Sequence, residues 1–255
     1  MRGESNPSPS STALATLRDK LRAIEGHAPD QRPVLPFGLS LLDDRLRGGG
    51  LEPALHEVAA EGAGWGNDAA ATLFIAGIAA RTHGPVLWVV RTRDLFAPGL
   101  YQAGLDPGRV LYAEARDDAE LLALLEEGLR HRALGAVIGE AGRVATAQTR
   151  RLQLAAEGGD TIALLLKRPA RGGGDPFAIP SAALTRWRIG SAPSAPVPWG
   201  GMGRACWRVA CVRQRGGDPF ELIVEAADEA GRLALPAPLV DRPVAAARAP
   251  ARAAG

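Results

Sequence analysis

The residues that come nearest to a chemical motif form a Gly-rich loop at positions 60–68, with the sequence Ala-Glu-Gly-Ala-Gly-Trp-Gly-Asn-Asp. An apolar, strand-like segment precedes this loop and a long apolar segment follows it. A strand, a Gly-rich loop and a helix in that order point backbone N–H groups at a phosphate. With its glycines at Gly62, Gly64 and Gly66, the loop is the first candidate for a nucleotide-phosphate site.

The side chains of this loop oppose the chemistry that its backbone suggests. A phosphate loop reads G-x-x-x-x-G-K-[ST], in which Lys contacts the phosphates and the hydroxyl holds Mg²⁺. When Gly66 is aligned with the last Gly, Asn67 stands at the Lys position and Asp68 at the Ser/Thr position. Glu61 then replaces the first Gly, so two carboxylates would repel an anionic ligand. We therefore expect a degenerate loop, with Asp68 as the N-cap of the following helix.

The elements that must position this loop predict an α/β fold with a mostly parallel sheet. Apolar strands alternate with helices from residue 36 to about residue 167, and strands that are apolar on both faces are typical of a parallel sheet covered by helices. The predicted strands are 55–60, 86–90, 110–113, 136–139 and 161–166, and the predicted helices are 69–81, 117–132 and 147–157.

After residue 167 the pattern changes to strands with no helices between them, which predicts an antiparallel extension at the C-terminal end. These strands are 184–189, 205–213 and 220–226. We assign residues 35–240 to one domain. Residues 1–34 are predicted to be a flexible N-terminus with a short amphipathic helix and a Pro-rich linker, and residues 241–255 a disordered Ala/Pro/Arg tail.

Composition excludes several classes of protein. Two cysteines, Cys206 and Cys211, are too few for a disulfide scaffold or a zinc ligand set, so we expect no metal. No apolar run reaches the ~20 residues that span a bilayer, and residues 1–12 lack the apolar core of a signal peptide, so we expect a cytoplasmic protein without membrane contact. Arg outnumbers Lys 28 to 2, which fits codon bias in a GC-rich genome better than a nucleic-acid footprint.

One apolar helix is a candidate partner-binding surface. Leu14, Leu17, Leu21 and Ile24 recur at three- and four-residue spacing, which predicts one apolar stripe on a short helix. The stripe could bind a partner or another copy, or fold back on the protein's own core, and the sequence leaves both open.

Two basic segments are further candidates. Lys167, Arg168 and Arg171 follow the last parallel strand, at the edge where ligands bind in such sheets, and could contact DNA phosphates. Arg213 and Arg215 alternate along a strand and so share one face, which suits a partner with acidic residues. A solvated turn and a solvated strand face, respectively, remain the alternatives.

The order of these segments resembles the RecA-type core. Residues 35–43 and 48–51 are similar to its entry segment, and Glu140 falls at the Walker B acid. Residues 213–220 resemble the region that holds RecA's paired basic residues. With these features, the N-terminal helix and the degenerate loop, the chain resembles the ImuA family of SulA-related, RecA-like proteins. The resemblance covers roughly residues 36–226.

This resemblance implies a non-catalytic accessory protein, without a cofactor, in SOS-induced error-prone translesion DNA synthesis. The implied partners are the polymerase-like ImuB and RecA, and indirectly the second, DnaE-type error-prone polymerase. Two alternatives stay open: a RecA-like ATPase with an unorthodox phosphate loop, and a SulA-like inhibitor of cell division.

Overall fold

The computed structural model describes residues 33–168, 174–195, 197 and 201–236. Eight strands lie within these ranges: β1 (Leu55–Ala60), β2 (Val86–Val90), β3 (Val110–Glu114), β4 (Ala136–Ala141), β5 (Ile162–Lys167), β6 (Thr185–Ala192), β7 (Cys206–Gln214) and β8 (Phe220–Glu225). The helices there are α1 (Ser40–Asp43), α2 (Trp65–Ala80), α3 (Ala97–Gln102), α4 (Asp118–Arg130) and α5 (Thr146–Glu157), with short 3₁₀ turns at Arg47–Gly49 and Pro107–Arg109.

The strands form one sheet in the order β3-β2-β4-β5-β1-β6-β7-β8, which confirms the predicted α/β class. In this order each neighbouring pair from β3 through β6 is parallel. The pairs β6–β7 and β7–β8 are antiparallel. The antiparallel part therefore begins one strand later than predicted. Strand β6 lies beside β1 and runs parallel to it.

Two apolar layers cover the sheet. On one face, α2 packs through an aromatic group in which Phe74 lies 5.8 Å from both Phe37 and Trp187, centroid to centroid. On the other face, α4 and α5 pack against β4 and β5. Helix α2 carries apolar residues on most of its sides, and this explains why it lies buried against the centre of the sheet. In the described part of the chain, no helix is long and apolar enough to cross a membrane.

His56, in β1, is completely buried in a fixed hydrogen-bond chain. Its Nε2 lies 2.9 Å from the Glu52 carbonyl oxygen and must carry the proton, since a carbonyl can only accept. Its Nδ1 lies 2.7 Å from the Thr185 hydroxyl, which in turn accepts from the Trp187 indole N–H. Burial lowers the pKa of His56 to about 4, so the ring is neutral at neutral pH.

This buried histidine makes stability depend on pH. Between pH 6.5 and pH 4 the unfolded chain binds a proton at His56 and the folded chain does not, so the free energy of unfolding must fall as the pH falls. We expect a loss of about 2 kcal/mol between pH 7.5 and pH 5 from this group. Urea denaturation at several pH values measures it. His56→Gln should flatten the pH profile, whereas His83→Gln, at an exposed position, should leave it unchanged; equal slopes in all three proteins would contradict the assignment.

Candidate functional site

The Gly-rich loop lies where β1 ends and α2 begins. Gly62 and Gly64 have φ of 68° and 145°, a conformation that favours glycine, and this tight turn lets the helix start at Trp65, four residues before the predicted start. The prediction that Asp68 caps the helix is wrong. Gly64 is the N-cap residue, and its carbonyl accepts the N–H groups of Asn67 and Asp68 at 3.0 Å.

Asn67, at the position of the phosphate-binding Lys, ties the loop to β6. Its amide Nδ2 donates to the Glu61 carbonyl, and its Oδ1 accepts from the backbone N–H of Ser191 at 2.8 Å and from the Ser191 hydroxyl at 3.0 Å. The side chain therefore uses its polar atoms on the protein's own loop and strand. A neutral side chain bound in this way brings no positive charge to a phosphate.

Glu61, at the position of the first Gly, points toward the antiparallel end of the sheet. Its carboxylate packs over Gly190, where an added Cβ would lie 2.1 Å from Oε2 and would force the Glu61 side chain to move. Oε1 lies 3.2 Å from Arg208, which also pairs with Glu221 at 3.3 Å. The loop is thus fixed from a second side by an ion pair.

Arg168 brings together the two remaining acidic positions of the predicted site. Its guanidinium binds Glu140 Oε2 through Nη2 at 2.9 Å and through Nε at 3.1 Å, and it lies 3.8 Å from Asp68 Oδ1. The Trp88 indole N–H donates to the other oxygen of Glu140 at 3.1 Å. Glu140 is only 7% exposed, so the guanidinium supplies the countercharge that a buried carboxylate requires.

This arrangement does not fit a magnesium nucleotide. In RecA-type ATPases the loop hydroxyl and the Walker B acid hold Mg²⁺, which neutralises the phosphates. Here Asp68 and Glu140 stand at those two positions, and the guanidinium of Arg168 lies between them. A bound triphosphate would meet carboxylates without a lysine to offset them. The backbone is still suited to an anion, because the amides of residues 62–66 have no acceptor among the described residues.

An open groove adjoins the loop on the α2 side. Its space of about 450 Å³ is lined by Trp65 and Phe96, and also by Arg168 and Asp68. Trp65 is 93% exposed and Phe96 71% exposed. The exposure of Trp65 follows from its place in the Gly-rich segment, whereas Phe96 became a neighbour only through the packing of α3 on α2.

The predicted basic loop is divided between the two faces of the sheet. Lys167 is the last residue of β5, and its side chain is buried on the face that α4 and α5 cover. Arg168 is engaged with Glu140 on the opposite face. The predicted DNA contact of Lys167 and Arg168 stays a prediction, although consecutive residues of an extended chain point to opposite sides. Arg171 lies outside the described residues.

Arg213 and Arg215 are both exposed at the end of β7. Arg213 lies in the strand and donates to the Ser181 carbonyl at 2.9 Å, while Arg215 follows in a turn. Partial burial and the neighbouring Arg186 and Arg215 lower the pKa of Arg213. Their role in partner binding stays a prediction, as does that of the apolar residues Leu14, Leu17, Leu21 and Ile24, which lie outside the described residues.

A buried ion pair between β1 and β6 was not predicted from the sequence. Glu57 Oε2 and Arg186 Nε are 2.8 Å apart, without hydrogen-bond geometry, and both residues are buried. The only signal was the presence of charged residues in the apolar segments LHEVA and TRWRI. In the described part of the chain, no group of three His, Cys, Asp or Glu side chains is placed to hold a metal ion.

The sheet order and the helices that flank it define a RecA-like fold. Among solved structures the chain is similar to the RadB recombinase, with a TM-score of 0.55 and 14% identity, over 78% of this chain and 98% of that one. No protein-family model matches the chain.

Among curated proteins the chain is 42% identical over 232 residues to Protein ImuA of Caulobacter vibrioides strain NA1000/CB15N, covering 85% of this chain and 94% of the relative. The same values hold for Protein ImuA of strain ATCC 19089/CIP 103742/CB 15 of that species. The chain belongs to the ImuA family, as the resemblance predicted.

The guanidinium of Arg168 should be essential for stability. Arg168→Met leaves the buried Glu140 carboxylate without a countercharge, and because Arg168 is itself partly exposed we expect a loss of about 2–3 kcal/mol in the free energy of unfolding. Urea denaturation measures this loss. Adding Glu140→Gln to Arg168→Met should restore much of it, whereas Arg150→Met on α5, at an exposed position, should change stability by less than about 0.5 kcal/mol. An Arg168→Met protein as stable as the wild type would refute this role.

Proposed function

We propose that this ImuA-family protein is a non-catalytic accessory protein of SOS-induced error-prone translesion DNA synthesis that acts in the cytoplasm by binding other proteins. The observation that carries the proposal is the Arg168 guanidinium between Asp68 and Glu140, the positions at which a RecA-type ATPase holds Mg²⁺. A RecA-like scaffold with this site blocked by its own side chains still presents its surfaces to partners.

The proposed partners are the polymerase-like ImuB and RecA, and through ImuB the DnaE-type polymerase. Family membership and the RecA-like fold support this choice. The groove beside the loop adds a physical reason, because Trp65 and Phe96 expose large aromatic surfaces that a monomer would normally bury. Aromatic residues of this kind are frequent anchors of protein interfaces. Arg213 and Arg215 offer a separate cationic surface for an acidic partner.

A specific observation favours one rival, an ATPase with an unorthodox loop. The amides of residues 62–66 have no acceptor among the described residues, as a phosphate-binding backbone requires. Against it stand the neutral Asn67 and the two carboxylates of Glu61 and Asp68. Direct contact of this protein with DNA has less support than protein binding, since Arg168 already has an acidic partner.

Co-purification tests the proposed partners. Tagged full-length protein should retain ImuB or RecA, with and without Mg-ATP, because the interaction does not depend on nucleotide. Trp65→Ala, which removes an aromatic anchor, should weaken binding roughly tenfold or more. Tyr101→Ala is the matched control, since Tyr101 is 63% exposed but does not line the groove, and it should bind like the wild type.

The N-terminal stripe is tested in the same assay. Replacing Leu17 and Leu21 together with Asp should abolish the interaction if the stripe binds the partner, whereas Leu154→Asp, at a 60% exposed position on α5, should not. Retention of neither ImuB nor RecA by the wild-type protein would refute the proposed function. Wild-type binding by Trp65→Ala or by the Leu17/Leu21 double variant would show that the groove or the stripe, respectively, is not the interface.

A further inference from the structure

We propose that the open groove between α2 and α3 binds an arginine or lysine side chain of a partner protein, flanked in that partner by apolar residues. The groove is lined by two exposed aromatic residues, Trp65 and Phe96, and by the carboxylates of Asp68 and Asp94. The inference rests on the proposed function, because it names the chemistry that a bound partner presents to this groove.

Asp94 is an exposed carboxylate that lines the groove without a cationic partner. It makes no hydrogen bond or ion pair with any described residue. The two arginines just before it in the chain are engaged elsewhere, since Arg91 lies 2.8 Å from Asp118 and Arg93 lies 2.6 Å from Glu114. Asp94 therefore brings an uncompensated negative charge to the groove.

Arg168 does not neutralise the groove, although it is the one cation among the described residues that line it. Its guanidinium makes two hydrogen bonds to Glu140, at 2.9 and 3.1 Å, and lies 3.8 Å from Asp68. One guanidinium cannot offset both of these carboxylates, and Asp94 adds a further negative charge. The groove is therefore acidic, which favours a cationic partner.

The apolar surface of the groove suits the same occupant. Trp65 is in the first turn of α2 and Phe96 immediately precedes α3, and Leu73 and Leu100 add aliphatic surface to the lining. A guanidinium or an ammonium is attracted to the face of an aromatic ring, and the aliphatic stem of Arg or Lys packs against apolar surface. Aromatic rings together with carboxylates thus favour a cationic side chain over a neutral one.

Two other occupants fit this groove less well. A nucleotide would bring its phosphates to the carboxylates of Asp68 and Asp94, and like charges oppose binding. A neutral apolar segment would remove water from Asp94 without supplying a countercharge. A planar guanidinium, in contrast, can stack on an aromatic ring and donate two hydrogen bonds to one carboxylate, so arginine is the preferred side chain.

Co-purification of full-length variants with ImuB or RecA separates this inference from the proposed function. Asp94→Asn keeps the shape of the side chain and removes its charge, so we expect roughly tenfold weaker binding and a smaller dependence of binding on salt. The matched control Asp160→Asn, at an exposed position before β5 without an ion-pair partner among the described residues, should bind like the wild type. If the wild type binds and Asp94→Asn binds equally at every salt concentration, the inference is overturned and the proposed function stands.

A second test needs no partner protein, and so it decides the inference even if neither ImuB nor RecA binds. The chain has five tryptophans, so 5-fluorotryptophan gives five ¹⁹F signals, and Trp65→Phe identifies that of Trp65. The probe is the blocked peptide acetyl-Ala-Leu-Arg-Leu-Ala-amide at millimolar concentration. We expect it to shift the Trp65 signal of the full-length protein. Replacing its arginine with glutamine, or using the Asp94→Asn protein, should weaken this binding roughly tenfold.

Several results of the peptide titration would overturn the inference. An unmoved Trp65 signal, or equal shifts by the arginine and glutamine peptides, would show that the groove does not recognise a cation. Equal responses of Asp94→Asn and the wild type would show that the carboxylate takes no part. A Trp65 signal that moves without peptide when Arg18, Lys20 and Arg22 are all changed to Gln would assign the groove to the chain's own N-terminal segment instead of a partner.

Discussion

The guanidinium of Arg168 is the interaction on which the rest of the candidate site depends. It joins the end of β5 to Glu140 on β4 and to Asp68 in the first turn of α2. Glu140 is buried and also receives the indole N–H of Trp88, so the cation and the indole together satisfy a carboxylate that apolar packing alone would exclude. The three elements that converge on a nucleotide in a RecA-type ATPase are here held together by side chains of the protein.

The side chains of the Gly-rich loop are explained by the same position of the Arg168 guanidinium. With a cation already between the two acidic positions, the chain needs no lysine at position 67, and Asn67 instead binds the loop to Ser191. Glu61 completes this closure through Arg208. The loop, helix α2 and strand β6 are thus connected through their polar groups. This explains how acidic side chains can stand where a phosphate loop has glycine and a hydroxyl.

The spacing of apolar residues along the sequence was enough to predict most strands and helices. For the strands, the signal was an apolar run of five or six residues bounded by Gly and Pro. The start of α2 was misplaced because its N-cap depends on the backbone angle of Gly64, which sequence does not display. The parallel direction of β6 depends on where the chain crosses the sheet. The pairing of Arg168 with Glu140 joins residues 28 positions apart, and local patterning gives no signal for it. The opposite directions of Lys167 and Arg168 could have been inferred from strand alternation alone.

We predict that Arg168 and the altered loop leave no place for a magnesium nucleotide. Isothermal titration of Mg-ATP into the full-length protein, paired with thermal unfolding, tests it most directly. We predict no saturable heat and no rise in melting temperature at millimolar Mg-ATP. A bound ligand at 100 times its Kd would stabilise the protein by about 2.7 kcal/mol, an effect that unfolding would detect. Saturable, Mg²⁺-dependent binding that Glu140→Gln abolishes would contradict the account.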